Sequence, residues 1–308
     1  MSAAVLVCGS IAEDIIGQSG PTDPAHPATP LTSLNRRWGG CALNVAYGLG
    51  QLGIEVIPIA TVGGDYAESL QPYLVEMGIA RTGIRVDPDH TGQATALLIG
   101  QQASPQLTFF HAGPSDSAEH ARIGQLDDIS AVQWVHVAPL APTTVLTHLQ
   151  DAKRLGLATL FDPGQCLTRF STAELKQALS LSDRLTLNID EWSLLQTRLN
   201  LTPEALCRQL SVVIITAGPL AVRLYENSTV QKIETLKVTE HDATGCGDAF
   251  RAGYLYGLTR GQCERHAVEF GCCAGAMCLQ ETGGHAYSLS AAQLESLHLR
   301  HYATTGKP

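Results

Sequence analysis

Residues 134–164 read WVHVAPLAPTTVLTHLQDAKRLGLATLFDPG. Apolar, β-rich runs stand at 134–139 and 157–164, and residues 142–155 between them carry a helical pattern. A helix-length crossover of this kind joins parallel strands, because antiparallel neighbours need only a short turn. The rhythm continues in both directions. Further strands are expected at AVLVCG (4–9), EVIPIATVG (55–63), RLTLN (184–188) and VVIITAG (212–218). Helices are expected over 40–52, 66–77, 172–181 and 190–197. The alternation predicts an α/β fold, a Rossmann-like and mostly parallel sheet flanked by helices. Several of these strands end in Gly, Pro, Asp or Asn, and in such sheets ligands gather beyond the carboxyl ends of the strands.

Two segments break the rhythm. Residues 17–37 are rich in Pro, Thr, Ser and Gly and lack a helical period. Residues 81–111 hold RTGIRV, GQATALLIG and PQLTFFHAG, three strand-like runs with no helix between them. Together they predict a small β element on the α/β body: a lid over the strand ends or a peripheral pair of hairpins. Beyond residue 241 the pattern is mainly helical, and HYATTGKP at the end reads as a frayed tail.

Composition narrows the function. The chain has 308 residues, 44% of them hydrophobic and 16% charged, enough for a substantial core and too apolar for disorder. A net charge of −9 without a Lys/Arg cluster argues against a nucleic-acid groove, though not against a nucleotide as a small ligand. No run approaches the length of a membrane span, and MSAAVLVCGSIAED lacks the basic start of a signal peptide. Nine cysteines without a C-x-x-C read as reduced thiols of a cytoplasmic protein.

One motif misleads. Gly48-Leu49-Gly50-Gln51-Leu52-Gly53 is a literal G-x-G-x-x-G, but it follows a helix and precedes a strand. The dinucleotide fingerprint has the opposite order, so these residues are expected to end and cap a helix.

HDATGCGDAF (241–250) leads into a helical pattern. Glycines at 245 and 247 let successive N–H groups converge, and a helix N-terminus adds its dipole, which makes a seat for an anion. Asp248 falls in the first turn beside it, placed to accept a proton from a hydroxyl held over the seat. The neighbouring N–H groups are expected to keep it ionised. A plain glycine turn with an N-terminal acid is the simpler reading. Three more stretches carry weak signals. Gly39-Gly40 opens a helix bearing Asn44 in its first turns; LNIDEW puts Asn188, Asp190 and Glu191 at a strand end, where carboxylates can hold Mg²⁺ through water; TAGP places Thr216 and Gly218 at another.

In this order, the Gly-Gly with its Asn, N-x-x-E, T-x-G and D-x-x-G-x-G-D-A-F resemble the ribokinase-like (PfkB) family of carbohydrate and nucleoside kinases over essentially the whole chain. The resemblance implies one kinase domain over 1–308, with a lid from about 15–37 and 81–111. It implies ATP as phosphoryl donor, Mg²⁺, and phosphorylation of a hydroxymethyl group. By position Asp248 matches the catalytic base, and Gly245, Cys246 and Gly247 match the anion hole. Asn188, Thr216, Gly218, Gly245 and Gly247 match ATP contacts, and Glu191 the Mg²⁺ site, reached through water. Asp14, Gly39, Gly40 and Asn44 match acceptor positions. The family often reads T-x-G-x-x-G; here Ala221 replaces the second glycine and puts a positive-φ turn there in question. GSIAED, FDPGQ, DEW and GDAFRAG look closer to bacterial-type adenosine kinases. That comparison assigns Ser10, Asp14, Asn44 and Gln165 to the nucleoside, and Phe109 or Phe110 to stacking on its base or to lid packing. The implied reaction is transfer from ATP to the 5′-hydroxyl of a nucleoside, adenosine first; the alternative is a sugar kinase with a ribose- or fructose-like acceptor. Asp242 reads as loop support. Lid-to-lid dimers occur among ribokinase relatives, so a homodimer is a candidate assembly, and K⁺ is a candidate activator.

Overall fold

The computed structural model describes residues 4–19, 30–90, 94–101, 104–117, 121–227 and 229–302. In chain order the elements are β1 (Ala4–Cys8), β2 (Ala12–Ser19), β3 (Leu31–Gly39), α1 (Cys41–Gln51), β4 (Glu55–Gly63), α2 (Tyr66–Glu76), β5 (Ile84–Asp87), β6 (Ala94–Gln101) and β7 (Ser104–His111). Then come β8 (Val132–Val137), α3 (Pro142–Arg154), β9 (Ala158–Phe161), α4 (Thr172–Leu181), β10 (Arg184–Asn188), α5 (Ile189–Leu199), α6 (Pro203–Leu206) and β11 (Val212–Thr216). The chain closes with β12 (Val222–Glu226), β13 (Thr229–Ile233), α7 (Cys246–Thr259), α8 (Glu264–Leu279) and α9 (Ala291–Tyr302).

A nine-stranded sheet runs β13-β12-β11-β10-β9-β8-β1-β4-β5. Its strands from β11 to β5 pair in parallel, and β12 and β13 add an antiparallel edge. The expected alternation is borne out. In β1, Val5 to Cys8 are all buried because helices cover both faces, which is why the strand shows no polar alternation. One core packs β1, β4 and β11 against α1, α7, α8 and α9. The other packs the opposite face against α3, α4 and α5. Local signals set several helix starts: Pro142 opens α3, and Ser171 with Glu174 forms a capping box on α4. The glycine-rich 48–53 stretch does end and cap α1, with Gly53 at φ 73°. The 222–233 hairpin escaped the sequence reading because its alternation is short and it lies beside a long apolar strand.

A second sheet, β3-β2-β6-β7, is the small β element. It is mixed: β2 pairs antiparallel with β3 and parallel with β6, and β6 pairs antiparallel with β7. Residues 20–29, inside the first lid segment, lie outside the described residues. One expectation is corrected. The RTGIRV run does not belong to this sheet, because Ile84–Asp87 pairs in parallel with Ala60–Gly63 of β4 and forms the edge of the large sheet. Its apolar Ile84 is buried against the core of the α/β body, which holds the strand there. No helix among the described residues is long and apolar enough to cross a membrane.

Candidate functional site

The strand order reverses direction between β1 and β8, the point where an open α/β sheet leaves a crevice at its carboxyl edge. Ser10 follows β1, Gln165 follows β9, Asn188 ends β10 and Thr216 ends β11, so all four stand on that edge. The small sheet leaves the body from the same edge, through β2, and β3 returns to it at Gly39-Gly40.

Gly40 is the N-cap of α1 with φ 88°, a conformation that favours glycine, and a β-carbon there would lie 2.6 Å from the Ser10 carbonyl. The turn places Asn44 one helical turn in, where its Nδ2 donates to Asp248 Oδ2 at 2.8 Å. Gly245 does the same for α7: φ is 79°, and a β-carbon would meet the Gly284 backbone at 2.7 Å. The first amides of α7, those of Gly247 and Asp248 among them, have no carbonyl a turn earlier inside the helix. Asp242 fixes the approach, its two carboxylate oxygens accepting from the amides of Thr244 and Gly283 at 2.9 Å each. Loop support is therefore its observed role.

Asp248 is half-buried. Burial raises its pKa above the usual carboxylate range, against the pull of the Arg251 cation and the Asn44 hydrogen bond. Among these influences loss of water is the largest. Asp14 is pushed up to about 7, by burial first and by the charge of Asp248 second. Its carboxylate lies against the α-carbon of Gly39, where any side chain would collide with it. The two acids and the two helix starts thus form one cluster, joining Asp14, Gly39, Gly40 and Asn44 to Asp248.

Two clefts flank the α7 N-terminus. One, of about 450 Å³, is lined by Asp14, Arg37, Trp38, Tyr73, Thr244 and His285, among others. The other, of about 390 Å³, brings Thr216 and Gly218 together with Cys246, Gly247, Phe250 and Gly275. Thr244 lines the first and Cys246 and Gly247 the second, so the turn at Gly245 joins the two. Asn188 caps α5, its Oδ1 accepting from the amides of Asp190 and Glu191, while both Glu191 oxygens accept from Asn188 at 2.8 Å. Burial and the charge of Asp162 push Glu191 up to about 7. Among the described residues no group of three His, Cys, Asp or Glu side chains could hold a metal ion directly.

Other residues are placed less closely. Gln165 is exposed in the turn after β9, and Phe110 is 37% exposed on β7; neither lines the two clefts. The side chain of Phe109 lies outside the described residues. Ser10 is buried and meets α1 through its carbonyl, which accepts from Ala42. Ala221 keeps an ordinary φ, so the missing glycine costs that turn nothing. Sequence reasoning missed the wall of Trp38, Tyr73 and His285, where the Tyr73 hydroxyl meets His285 Nδ1 at 2.6 Å. No local motif announces that contact, which joins α2 to the loop after α8. It also missed Arg251 and Asp162, although Arg251 stands one helical turn after Asp248.

A helix N-terminus able to seat an anion, with a carboxylate beside it and a cleft on either side, suits transfer of a phosphoryl group to an alcohol. Residues 3–291 match the pfkB family of carbohydrate kinases, and the chain belongs to that family. A nucleoside kinase of Methanothermobacter thermautotrophicus is 26% identical over 91% of this chain and 90% of its own length. A fructokinase of Escherichia coli is 26% identical over 84% of this chain and 85% of its own. The nucleoside kinase of Burkholderia thailandensis in complex with inosine superposes with a TM-score of 0.87 at 27% identity, covering 97% of this chain and 98% of that one. Its complex with ADP-inosine gives a TM-score of 0.84 at 26% identity, covering 97% of this chain and 96% of that one. The ligand-free form gives 0.79 at 26%, covering 96% and 99%. The fold is ribokinase-like.

Proposed function

We propose that this chain transfers the γ-phosphoryl group of ATP to the 5′-hydroxyl of a nucleoside, with adenosine the first acceptor and inosine the second. The observation that carries the reading is the position of the α7 N-terminus, with Asp14 in the cleft on one side and Thr216 and Gly218 in the cleft on the other. In this reading the acceptor occupies the first side and ATP the second.

Asp14 holds the ribose hydroxyls through charge-assisted hydrogen bonds, with Ser10, Gly39, Gly40 and Asn44 shaping the floor. Phe110, carried on β7 of the small sheet, addresses the base only if that sheet moves toward the body, where Gln165 stands after β9. Asp248 receives the 5′-hydroxyl proton while Asn44 holds one of its oxygens. A pKa raised toward the working pH makes a better general base than a fully relaxed carboxylate. Amides of Gly245 and Gly247 take up charge on the transferring phosphoryl group, joined by that of Cys246 once it leaves the Ala243 carbonyl to which it donates here. Glu191 would hold Mg²⁺ through water, its carboxylate oriented by one hydrogen bond from Asn188 to each oxygen. When bound, Mg²⁺ neutralises charge on the donor phosphates. The small sheet acts as a lid that excludes water. One observation favours this: Arg37 of β3 donates to the Thr282 carbonyl of the body. Nine free thiols suit the reducing cytoplasm as the site of reaction.

ADP release from ATP tests the proposal, using adenosine, inosine, other nucleosides, ribose and fructose as acceptors, each with and without K⁺. Nucleosides are expected to lead. Turnover of fructose or ribose alone would favour the sugar-kinase reading, which the fructokinase relative supports.

A further inference from the structure

Behind Asp248 lies a buried ion pair to which neither the motifs nor the proposed mechanism gives a part. Arg251 stands one turn further along α7, and its guanidinium pairs with the carboxylate of Asp162, which follows β9. Asp162 is 1% exposed, and His136 of β8, fully buried, brings its Nε2 to 3.8 Å from the same oxygen. The pair does not face away from the site. Arg251 Nη1 would lie 2.6 Å from a β-carbon on Gly247, so the guanidinium packs on the backbone of the anion seat itself. Burying two such charges is expensive unless they are paired and aligned, which makes a purely structural use of them costly.

We propose that Arg251, held in place by Asp162, is a positioning residue for phosphoryl transfer: it braces the Gly247 backbone of the anion seat beside Asp248. This rests on Asp248 being the proton acceptor. The groups facing Asp248 are Asn44 and Cys41 of α1, Asp14 of β2, His136 of β8, Asp162 after β9, Arg251 of α7, Cys278 of α8 and Tyr287 beyond it. Within that set Arg251 favours the ionised carboxylate and Asp162 opposes it. The two halves of one ion pair should therefore move Asp248 in opposite directions. A scaffold that merely needed the pair would lose function the same way from either side.

The test is the pH dependence of kcat at saturating acceptor and ATP, where acceptor binding by Asp14 drops out. Arg251→Met is expected to lower kcat at least tenfold and move the acid limb up by about one pH unit, the scale set by loss of a nearby opposite charge. Asp162→Asn is expected to move that limb down, and Arg251→Lys to keep it near the wild-type position. Limbs that do not move, limbs that move together, or changes confined to KM would overturn the proposal. If Arg251→Met does not fold, the direction given by Asp162→Asn decides alone. ADP formation by the wild-type protein tests the kinase reading separately, so failure of one is distinguishable from failure of the other.

Discussion

The two clefts beside α7 differ in kind. The one that holds Asp14 carries charge and hydrogen-bonding side chains: Arg37, Tyr73 and His285 line it, and the carboxylates of Asp14 and Asp248 share the ground beneath it with raised pKa values. The one that holds Thr216 and Gly218 is walled mainly by apolar side chains such as Val222, Leu236, Val238 and Leu279 and by glycine backbone, with Lys237 and Glu240 its charged groups. In the proposed reading, side chains of the first sort and activate the acceptor, and the apolar walls and main chain of the second accept a flat ring and its phosphates. If the first is the acceptor side and the second the donor side, substitutions on the two should separate in kinetics.

The largest effect is expected at their junction. Asp248→Asn should cut kcat by roughly 10²–10⁴-fold, the usual worth of a positioned base, with acceptor KM changed little. Gly245→Ala forces a side chain into the left-handed region and into Gly284, a strain of about 1–3 kcal/mol, so kcat should fall roughly tenfold or more. On the first side, Asp14→Ala should raise acceptor KM with little change in that for ATP. In the wild-type protein acceptor KM should rise as pH falls through about 7, because protonated Asp14 no longer offers a charged acceptor. On the second side, Gly275→Leu should fill the cleft and raise ATP KM by roughly tenfold, about 1.4 kcal/mol, leaving acceptor KM unchanged.

The smallest effect concerns stability. Asp14 binds its proton more tightly folded, at about 7, than unfolded, near 3.8. Stability therefore falls as pH rises between those values and stays lowered above them. Asp14→Asn removes that cost. Its Tm should exceed wild type by roughly 2–4 °C at pH 8. The gap should close below about pH 4, as thermal melts at the two pH values can show. A lower Tm at pH 8 would mean that Asp14 is stabilising when charged.

The two sides were also unequally legible. RLTLN and EVIPIATVG gave their strands to the residue, because parallel strands buried on both faces are continuous apolar runs. HDATGCGDAF gave the turn into α7, since Gly245 sits where the backbone needs φ above zero. RTGIRV misled because a short edge strand of the large sheet looks no different from a strand of the small one. The upward shift of the Asp248 pKa was not legible, because burial is a property of the assembled fold, not of the turn. The Tyr73–His285 contact and the Arg251–Asp162 pair join residues far apart in sequence, and no spacing encodes them.

The central claim is that Asp248 takes the proton from a nucleoside 5′-hydroxyl as it receives phosphate. Single-turnover reaction of ATP with adenosine, with the product resolved by ³¹P NMR, tests it in wild type and in Asp248→Asn. The account predicts phosphate on the 5′-oxygen, formed roughly 10²–10⁴-fold more slowly by the variant. A variant rate near wild type, or phosphate on a 2′- or 3′-oxygen, would contradict it.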